Sequence, residues 1–307
     1  MQLYKTDIAM ASDNKYAPWL GILIMSIINK SHDKQLRFHI IDGGISETNR
    51  NKITSLSDSQ SIEFCWYQPD ANRYEGLPIE RYGLASYYRM SLGTILPSDI
   101  SRVIYLDCDM MATRDIATLY QKDLGHHIIG AVEDISAPRL ELGFAPHEYF
   151  NSGSIVMDLT RWREEGIEQQ LFSVMQTHAG NIKYPDQDAL NIVFQSRWQR
   201  LPLEWNFQPG IWRRSEKKQY GPVGTTSSDY KKALKNPAII HFLARRKPWR
   251  YGCIHPLKKV YLDYLKQSPW ADLYPEPGSL KDVLKYYSGI DKLFKQQKRW
   301  LQMKRFL

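Results

Sequence analysis

Cysteine is scarce in this sequence, with only Cys65, Cys108 and Cys253 among 307 residues. Three scattered cysteines provide neither a disulfide framework nor the paired spacing of a zinc site, so a reducing cytoplasm is the expected compartment. Long apolar runs are also absent, because the longest segment, residues 20–28, falls well short of the ~20 residues that span a bilayer. Residues 1–7 lack the basic start and apolar core of a signal peptide, so none is expected.

Negative charge is in short supply towards the C-terminal end. The chain carries a net charge of +8, and residues 280–307 hold eight Lys or Arg against Asp282 and Asp291. This placement argues against a basic groove spread over the fold, so no nucleic-acid partner is expected. It favours a protein whose C-terminal end binds an anionic surface.

The spacing of the C-terminal apolar residues is helical. They lie broadly on one helical face and the basic residues lie mostly elsewhere, which predicts an interfacial amphipathic helix on an anionic membrane. The alternative is a helix that packs on the rest of the chain or on an oligomer partner. Residues 275–278 are rich in proline and mark the boundary, so the predicted parts are residues 1–275 and a basic tail, residues 276–307.

The dinucleotide-binding pattern GxGxxG is missing, which argues against a dinucleotide cofactor. The apolar patterning predicts an α/β fold with a Rossmann-like, mixed and mainly parallel sheet flanked by helices, and a small basic helical appendage at the C-terminal end. Ser46 and Thr160 are predicted N-caps, and Arg89 lies in a predicted helix. The predicted strands cover residues 6–12, 36–41, 61–67, 103–106, 127–132, 150–157 and 238–243. The predicted helices cover residues 18–29, 46–56, 85–92, 160–178 and 184–194.

Two carboxylates directly follow one of these strands, in the tripeptide Asp107-Cys108-Asp109. Carboxylates are costly to bury unless something positive meets them, and ligands bind at the carboxyl edge of an open α/β sheet. The spacing therefore favours a site for Mg²⁺ or Mn²⁺ that carries a phosphorylated ligand, because hard oxygen donors suit these ions. The alternative is a strand that ends in solvated acids or in helix-capping aspartates.

Six groups of residues follow one another in a distinctive order along the chain. They are Asp13 with Tyr16, Arg89, Asp107-Cys108-Asp109, Asn151-Ser152-Gly153, Asp186-Gln187-Asp188, and His241 followed by Lys247-Pro248-Trp249. Over roughly residues 7–249 this order resembles glycosyltransferase family 8, and within it the bacterial galactosyl- and glucosyltransferases of lipopolysaccharide. The resemblance implies a GT-A catalytic domain over residues 1–275 and a metal-dependent retaining transferase that uses a UDP-hexose.

The resemblance also implies a role for each matched residue. Mn²⁺ or Mg²⁺ would be held by Asp107, Asp109 and His241, and two carboxylates with an imidazole suit Mn²⁺. Lys247 would neutralise a phosphate as a point charge, and Pro248 and Trp249 would fix its loop. The nucleotide would be bound by Ala11, Ser12, Asp13, Tyr16, Asp107, Cys108 and Lys247. The donor hexose and the catalytic step would involve Arg89, Asn151, Asp186 and Gln187.

Several of these residues also have a purely structural interpretation. Taken alone, His241 would be a satisfied core histidine, Asp13 and Asp186 would cap helices, and Arg89 would be a surface charge on a helix. These alternatives remain open at the level of the sequence.

Two positions depart from the family pattern, and two tyrosines have no settled role. Ala244 stands where the family usually has glycine, so its Cβ would press on the diphosphate or the acceptor. Lys15 stands where close relatives often have asparagine, which affects the expected ribose contacts. Tyr149 and Tyr184 either border the acceptor or pack in the core.

The expected reaction is transfer of a hexose, galactose first and glucose second, to a glycan acceptor such as lipid-linked lipopolysaccharide or lipooligosaccharide. Gln187 is a poor nucleophile and Asp186 is the alternative, so attack on the face that UDP leaves is favoured over a double displacement. A protein-linked glycan is the alternative acceptor. The other function classes are a sugar nucleotidyltransferase and a non-catalytic membrane- or glycan-binding protein. The expected location is cytoplasmic, peripheral on the inner face of the cytoplasmic membrane.

Overall fold

The computed structural model describes residues 5–31, 35–77, 83–135, 139–145, 147–178, 181–216, 226–243, 247–250, 253 and 255–273. Its strands are β1 Thr6–Ser12, β2 Leu36–Asp42, β3 Ile62–Tyr67, β4 Arg102–Leu106, β5 Met110–Ala112, β6 Ile129–Glu133, β7 Phe150–Asp158, β8 Trp198–Arg200 and β9 Ile239–His241. Its α-helices are α1 Ala17–Ile28, α2 Glu47–Thr54, α3 Leu92–Ile95, α4 Ala117–Tyr120, α5 Leu159–Glu164, α6 Ile167–Thr177, α7 Pro185–Val193, α8 Pro209–Glu216, α9 Ser227–Lys235 and α10 Lys258–Gln267.

Seven of the strands form one mixed sheet in the order β3-β2-β1-β4-β7-β6-β8 within the described residues. The pairs β3–β2, β2–β1, β1–β4 and β6–β8 are parallel, whereas β7 is antiparallel to both β4 and β6. The short strands β5 and β9 pair antiparallel in a second sheet. This topology confirms the predicted α/β class with a mixed, mainly parallel sheet flanked by helices.

Alternation along β1 shows how the sheet is buried on both faces. Ile8 and Met10 pack into the apolar cluster that contains α1, while Ala9 and Ala11 face the cluster on the other side. A strand buried on both faces is apolar over most of its length. Helix α1 is itself buried along most of its length and begins with Pro18 in its first turn, where a missing backbone N–H costs nothing.

The prediction of one helix over residues 85–92 is wrong. The segment forms two 3₁₀ turns, Leu84–Ser86 and Tyr88–Ser91, followed by α3. It is entered through Gly83 at φ 73°, and the Ser86 hydroxyl and the Arg89 guanidinium both donate to backbone carbonyls three residues earlier. These local hydrogen bonds favour the tighter turn.

The predicted helix over residues 160–178 is divided. Gly166 adopts φ 61° and separates α5 from α6, a conformation that glycine reaches without the Cβ penalty. The N-cap is Asp158 and not Thr160, because the Asp158 carboxylate accepts the backbone N–H of Arg161 at 3.0 Å. The Ser46 cap is confirmed, since its hydroxyl accepts the N–H of Asn49.

The late strand is shorter than predicted, Ile239–His241, and its partner strand β5 was not predicted.

Several predictions fall on residues outside the described ranges. They are the departure at Ala244, the boundary at residues 275–278 and the basic tail, residues 276–307. Within the described part of the chain, no helix is both long and apolar enough to cross a membrane.

Candidate active site

The candidate site lies where β4 ends and β7 begins. Because β7 runs antiparallel to β4, Leu106 pairs with Ser154 and the N–H of Asp107 donates to the carbonyl of Gly153 at 2.9 Å. Two groups of residues that are about 45 positions apart in the sequence therefore meet at one edge of the sheet. The next turn carries Asp109 into β5.

The pairing of β5 with β9 brings His241 to this edge. Met110 is the pairing partner of His241, and the His241 ring is almost completely buried. Nε2 lies 3.1 Å from Oδ1 of Asp109 and 4.0 Å from Oδ2 of Asp107. One ligand atom from each of these three residues lies within 4.8 Å of the other two. Two carboxylates and an imidazole at this separation suit a divalent cation.

A fixed positive charge lies against Asp109. The Lys247 ammonium contacts Oδ2 of Asp109 and donates to the carbonyl of Phe242 at 3.0 Å. Burial acts to raise the pKa of Asp109, but Lys247 and His241 outweigh it and hold the pKa of this carboxyl well below its usual range. Asp109 is therefore ionised, as a metal ligand must be.

Arg89 links the two acidic groups of the site. It is 5% exposed and donates to Oδ1 of Asp107 at 2.7 Å and to the Ser152 carbonyl at 2.7 Å, and its Nε lies 3.1 Å from Oδ2 of Asp186. Burial raises the pKa of Asp186 above its ordinary value, although Arg89 opposes the shift. This burial excludes the predicted alternative that Arg89 is a surface charge. Its guanidinium instead makes its contacts with protein groups.

The Gln187 side chain is held from both ends. Its Oε1 accepts the N–H of Ser152 at 3.1 Å and the Asn151 amide at 3.1 Å. Its Nε2 donates to Oδ2 of Asp134 and to the Tyr149 hydroxyl, each at 3.1 Å. The Ser152 N–H can only donate, so the orientation of the Gln187 amide is determined by the network.

A buried ion pair supports this network from behind. Asp188 is completely buried and accepts the Tyr149 hydroxyl at 2.5 Å, the N–H of Lys183 at 2.7 Å and the guanidinium of Arg139. Tyr149 thus connects Asp188 to Gln187 and has a buried structural position, as one of its two predicted interpretations states. Tyr184 is only partly buried and lies against the cationic groups of Arg139 and Lys183.

The predicted nucleotide-binding residues lie at the end of β1. Ala11 and Ser12 complete the strand, and the thiol of Cys108 donates to the Ala11 carbonyl at 3.2 Å. One carboxylate oxygen of Asp13 accepts the Tyr16 N–H at 2.8 Å, so Asp13 shapes the turn before α1 while Tyr16 is the residue at the N-cap position. Burial raises the pKa of Tyr16 to about 12.

The lysine loop is anchored by aromatic packing. The ring of Trp249 stacks on Trp19 of α1 at a centroid distance of 4.3 Å and lies 5.5 Å from Tyr261 of α10. Trp249 is buried, which agrees with its predicted role of fixing the loop and leaves Lys247 to face the aspartates.

Sequence reasoning missed two residues that the structure brings into the site, Asp134 and Asn206, and it missed the spatial reason for a third, Gly153. Asp134 contacts Asn151 and Gln187, and its only sequence signal is its position after a predicted strand. Gly153 stood in a matched motif, but the space that it leaves was not evident. Asn206 contacts His241 and carries no sequence signal, because it lies in the 3₁₀ turn Leu203–Asn206, 35 residues before the histidine.

Comparison with known proteins gives matches over most of the chain. The family model described as Glycosyl transferase family 8 matches residues 7–253. The chain is 31% identical to General stress protein A of Bacillus subtilis (strain 168), over 86% of this chain and 94% of that protein. It is 27% identical to Lipopolysaccharide 1,2-glucosyltransferase of Escherichia coli (strain K12), over 91% and 82% respectively. A crystal structure of an active-site glutamine-to-glutamate mutant of LgtC matches with a TM-score of 0.76 and 25% identity, over 86% and 96%.

Proposed function

Because the chain belongs to glycosyltransferase family 8, a family with the GT-A fold, we propose that it transfers a hexose from a UDP-sugar to a glycan acceptor with retention of the anomeric configuration. Galactose is the favoured hexose and glucose the second. The observation that carries the proposal is the meeting of Asp107, Asp109 and His241 with the buried Asp186 and Gln187 at one sheet edge.

The donor set at this edge fits a divalent cation. Two carboxylates and one imidazole leave coordination positions for diphosphate oxygens and suit Mn²⁺, with Mg²⁺ as the alternative. Such an ion supplies positive charge beside a leaving diphosphate. Asp107, Asp109 and His241 would hold it, and Lys247 would offset the remaining phosphate charge.

The remaining residues would bind and orient the donor. The nucleotide pocket would be lined by Ala11, Ser12, Asp13, Tyr16 and Cys108. Burial raises the pKa of the Cys108 thiol, so this side chain is uncharged. On the sugar side, Arg89 would act by fixing Asp186 and Asp107, since its contacts are with protein groups. Electrostatic groups held in advance by such contacts stabilise developing charge without reorganisation.

The network around Gln187 supports attack by the acceptor on the face that UDP leaves. A double displacement needs a free carboxylate beneath the anomeric carbon, whereas Gln187 is an amide and Asp186 is engaged by Arg89 and Ser152. The departing phosphate would take the acceptor proton. LgtC has an active-site glutamine, which agrees with a role for Gln187 in this chain.

The similarity to Lipopolysaccharide 1,2-glucosyltransferase supports lipopolysaccharide or lipooligosaccharide as the acceptor. Such an acceptor is lipid-linked and is presented at a membrane. The basic tail, residues 276–307, would bring the enzyme to the inner face of the cytoplasmic membrane through attraction of about 1 kcal/mol per Lys or Arg near acidic lipids.

A donor screen tests the reaction. The purified protein is incubated with UDP-galactose, UDP-glucose and other UDP-sugars, with Mn²⁺ or with EDTA, and UDP release is measured. We expect metal-dependent release with a hexose donor, unchanged in the control Asp99→Asn, since Asp99 is exposed. Release or consumption of pyrophosphate in place of UDP release would indicate a nucleotidyltransferase. The absence of turnover with any donor would indicate a binding protein. NMR of the product must show retention, because inversion contradicts the family mechanism.

A liposome assay tests the tail. Full-length protein should co-sediment with vesicles that contain anionic lipid, and less so at high salt. Combining Lys295→Gln, Lys298→Gln and Arg299→Gln should weaken sedimentation and leave UDP release unchanged. Equal sedimentation of the two proteins would refute the anchor. Mass analysis of lipopolysaccharide and of glycoproteins in a deletion strain distinguishes the two acceptor classes.

A further inference from the structure

Asn206 lies directly behind His241 and is completely buried. Its Oδ1 is 3.0 Å from Nδ1 of His241, and its Nδ2 donates to Oδ1 of Asn151 at 2.8 Å. A carboxamide can present either end to a neighbour, so these contacts acquire a direction only when a fixed donor or acceptor anchors the network.

The backbone N–H of Gly153 provides that anchor. It donates to Oδ1 of Asn151 at 3.1 Å, and a backbone N–H can only donate, so this atom of Asn151 is the oxygen. The Asn206 atom that meets the same oxygen must then be the Nδ2 donor. The opposite end of the Asn206 amide, which faces His241, is therefore the oxygen.

An oxygen at this position can only accept, so Nδ1 of His241 carries the proton. Nε2 is then the nitrogen that faces the carboxylates, 3.1 Å from Asp109 and 4.0 Å from Asp107, and it is the one that would exchange its contact with Asp109 for a metal. The atom that receives a metal is set by the hydrogen bond of the other ring nitrogen.

We propose that Asn206 is a positioning residue that fixes the tautomer and the ring orientation of His241 and so prepares Nε2 to bind the divalent cation. The inference rests on the proposed metal site. In other proteins, mutating the residue that hydrogen-bonds to a metal-binding histidine lowers metal affinity by roughly 10- to 100-fold. The same amide also joins the metal side to Asn151 and hence to Gln187.

Mn²⁺ affinity of the full-length protein, measured by EPR of the free ion, tests the proposal without any turnover. Asn206→Leu should weaken Mn²⁺ binding by about 10- to 100-fold, because Nδ1 loses its acceptor. Asn206→Asp should bind Mn²⁺ more tightly than Asn206→Leu does, because a carboxylate accepts the same N–H although it no longer donates to Oδ1 of Asn151. A merely structural role would not be rescued in this way.

The matched control is Gln208→Leu. Gln208 is also a completely buried amide, and it contacts the backbone of Glu133 and Ile135. It should lose comparable stability and keep its Mn²⁺ affinity. His241→Ala serves as the reference for a lost ligand.

The outcomes separate the two levels of the argument. If His241→Ala weakens binding but Asn206→Leu binds Mn²⁺ as the wild type does, the role of Asn206 is overturned and the metal site stands. If Asn206→Asp is as weak as Asn206→Leu, the acceptor role is likewise overturned. If the wild type does not bind Mn²⁺, or His241→Ala binds it equally well, the proposed site fails and the inference fails with it.

Discussion

Gly153 leaves no room for a side chain beneath the candidate metal site. A Cβ added there would lie 2.4 Å from Cε1 of His241 and 2.8 Å from both Oδ2 of Asp107 and Cε of Met110. The φ angle of Gly153 is not in the left-handed region, so alanine meets no backbone strain. Any effect of Gly153→Ala therefore arises from these contacts.

The size of the effect follows from the distances. The contact with His241 is about 1 Å short of the 3.4 Å at which ordinary van der Waals contact begins. The methionine side chain can turn away, but the His241 ring is held by Asn206 and by its strand. Metal–ligand distances in established sites lie within about 0.2 Å of their standard values. We therefore expect Mn²⁺ affinity to fall by about 10- to 100-fold, as it does when ligand orientation is lost. Overpacking should lower the free energy of unfolding by about 1–3 kcal/mol.

The assay pairs Mn²⁺ binding, measured by EPR, with thermal unfolding. The matched control is Gly130→Ala in the neighbouring strand β6, where an added Cβ would lie 2.6 Å from Cδ2 of Leu124 and otherwise meets Leu201. This variant should lose stability and bind Mn²⁺ normally. Wild-type Mn²⁺ affinity in folded Gly153→Ala would refute the view that this glycine sets the spacing of the ligands.

Three further predictions concern the site and the sheet. Asp109→Asn should leave folding intact and abolish metal-dependent UDP release; near-normal turnover that also resists EDTA would remove this residue from the site. If the Gln187 amide acts mainly as the glycosyl bond breaks, as we propose, Gln187→Ala should lower kcat more than it raises the donor KM; an unchanged kcat would exclude it from the reaction. Burial acts to raise the pKa of Asp7, but hydrogen bonds from His39 and Arg37 outweigh it and lower this pKa below 3.8. A depressed folded-state pKa contributes stability above the unfolded value that is lost as the pH falls through the folded value. Asp7→Asn should therefore lower Tm at neutral pH, with a difference from the wild type that shrinks below pH 3.8; a constant difference would contradict this.

The fold could be predicted where local patterning and tertiary burial agree. Strand β1 has the predicted bounds, Thr6–Ser12, because its apolar run is buried on both faces. The prediction failed where a single residue overrides the pattern, through its side chain or its backbone conformation. Asp158 caps α5 two residues before the predicted Thr160, and Gly166 interrupts a continuous amphipathic pattern through its left-handed conformation.

The residues of the candidate site could be predicted where their side chains have the chemistry of ligand-binding groups. Asp107, Asp109 and His241 have the chemistry of metal ligands and are brought together. Asn206 and Asp134 act on other side chains, and their partners are 35 and 53 residues away in the sequence. No local pattern marks such residues. In the sequence, an amide or a carboxylate that hydrogen-bonds to another side chain cannot be distinguished from one that faces solvent.

The charge balance of the site links metal binding to donor binding. Among the described residues, the ion pairs of Asp107, Asp109 and Asp186 involve two cations, Arg89 and Lys247, so within this group negative charge is in excess where a diphosphate would have to enter. A diphosphate alone would meet repulsion from partly buried carboxylates, which is costly in a medium of low polarity. A divalent cation reverses this excess. UDP should therefore bind far more weakly in EDTA than with Mn²⁺, and Asp109→Asn, which removes one carboxylate charge, should bind UDP in EDTA at least as well as the wild type does. Isothermal titration calorimetry measures both, and weaker UDP binding by Asp109→Asn in EDTA would show that this carboxylate does not repel the diphosphate.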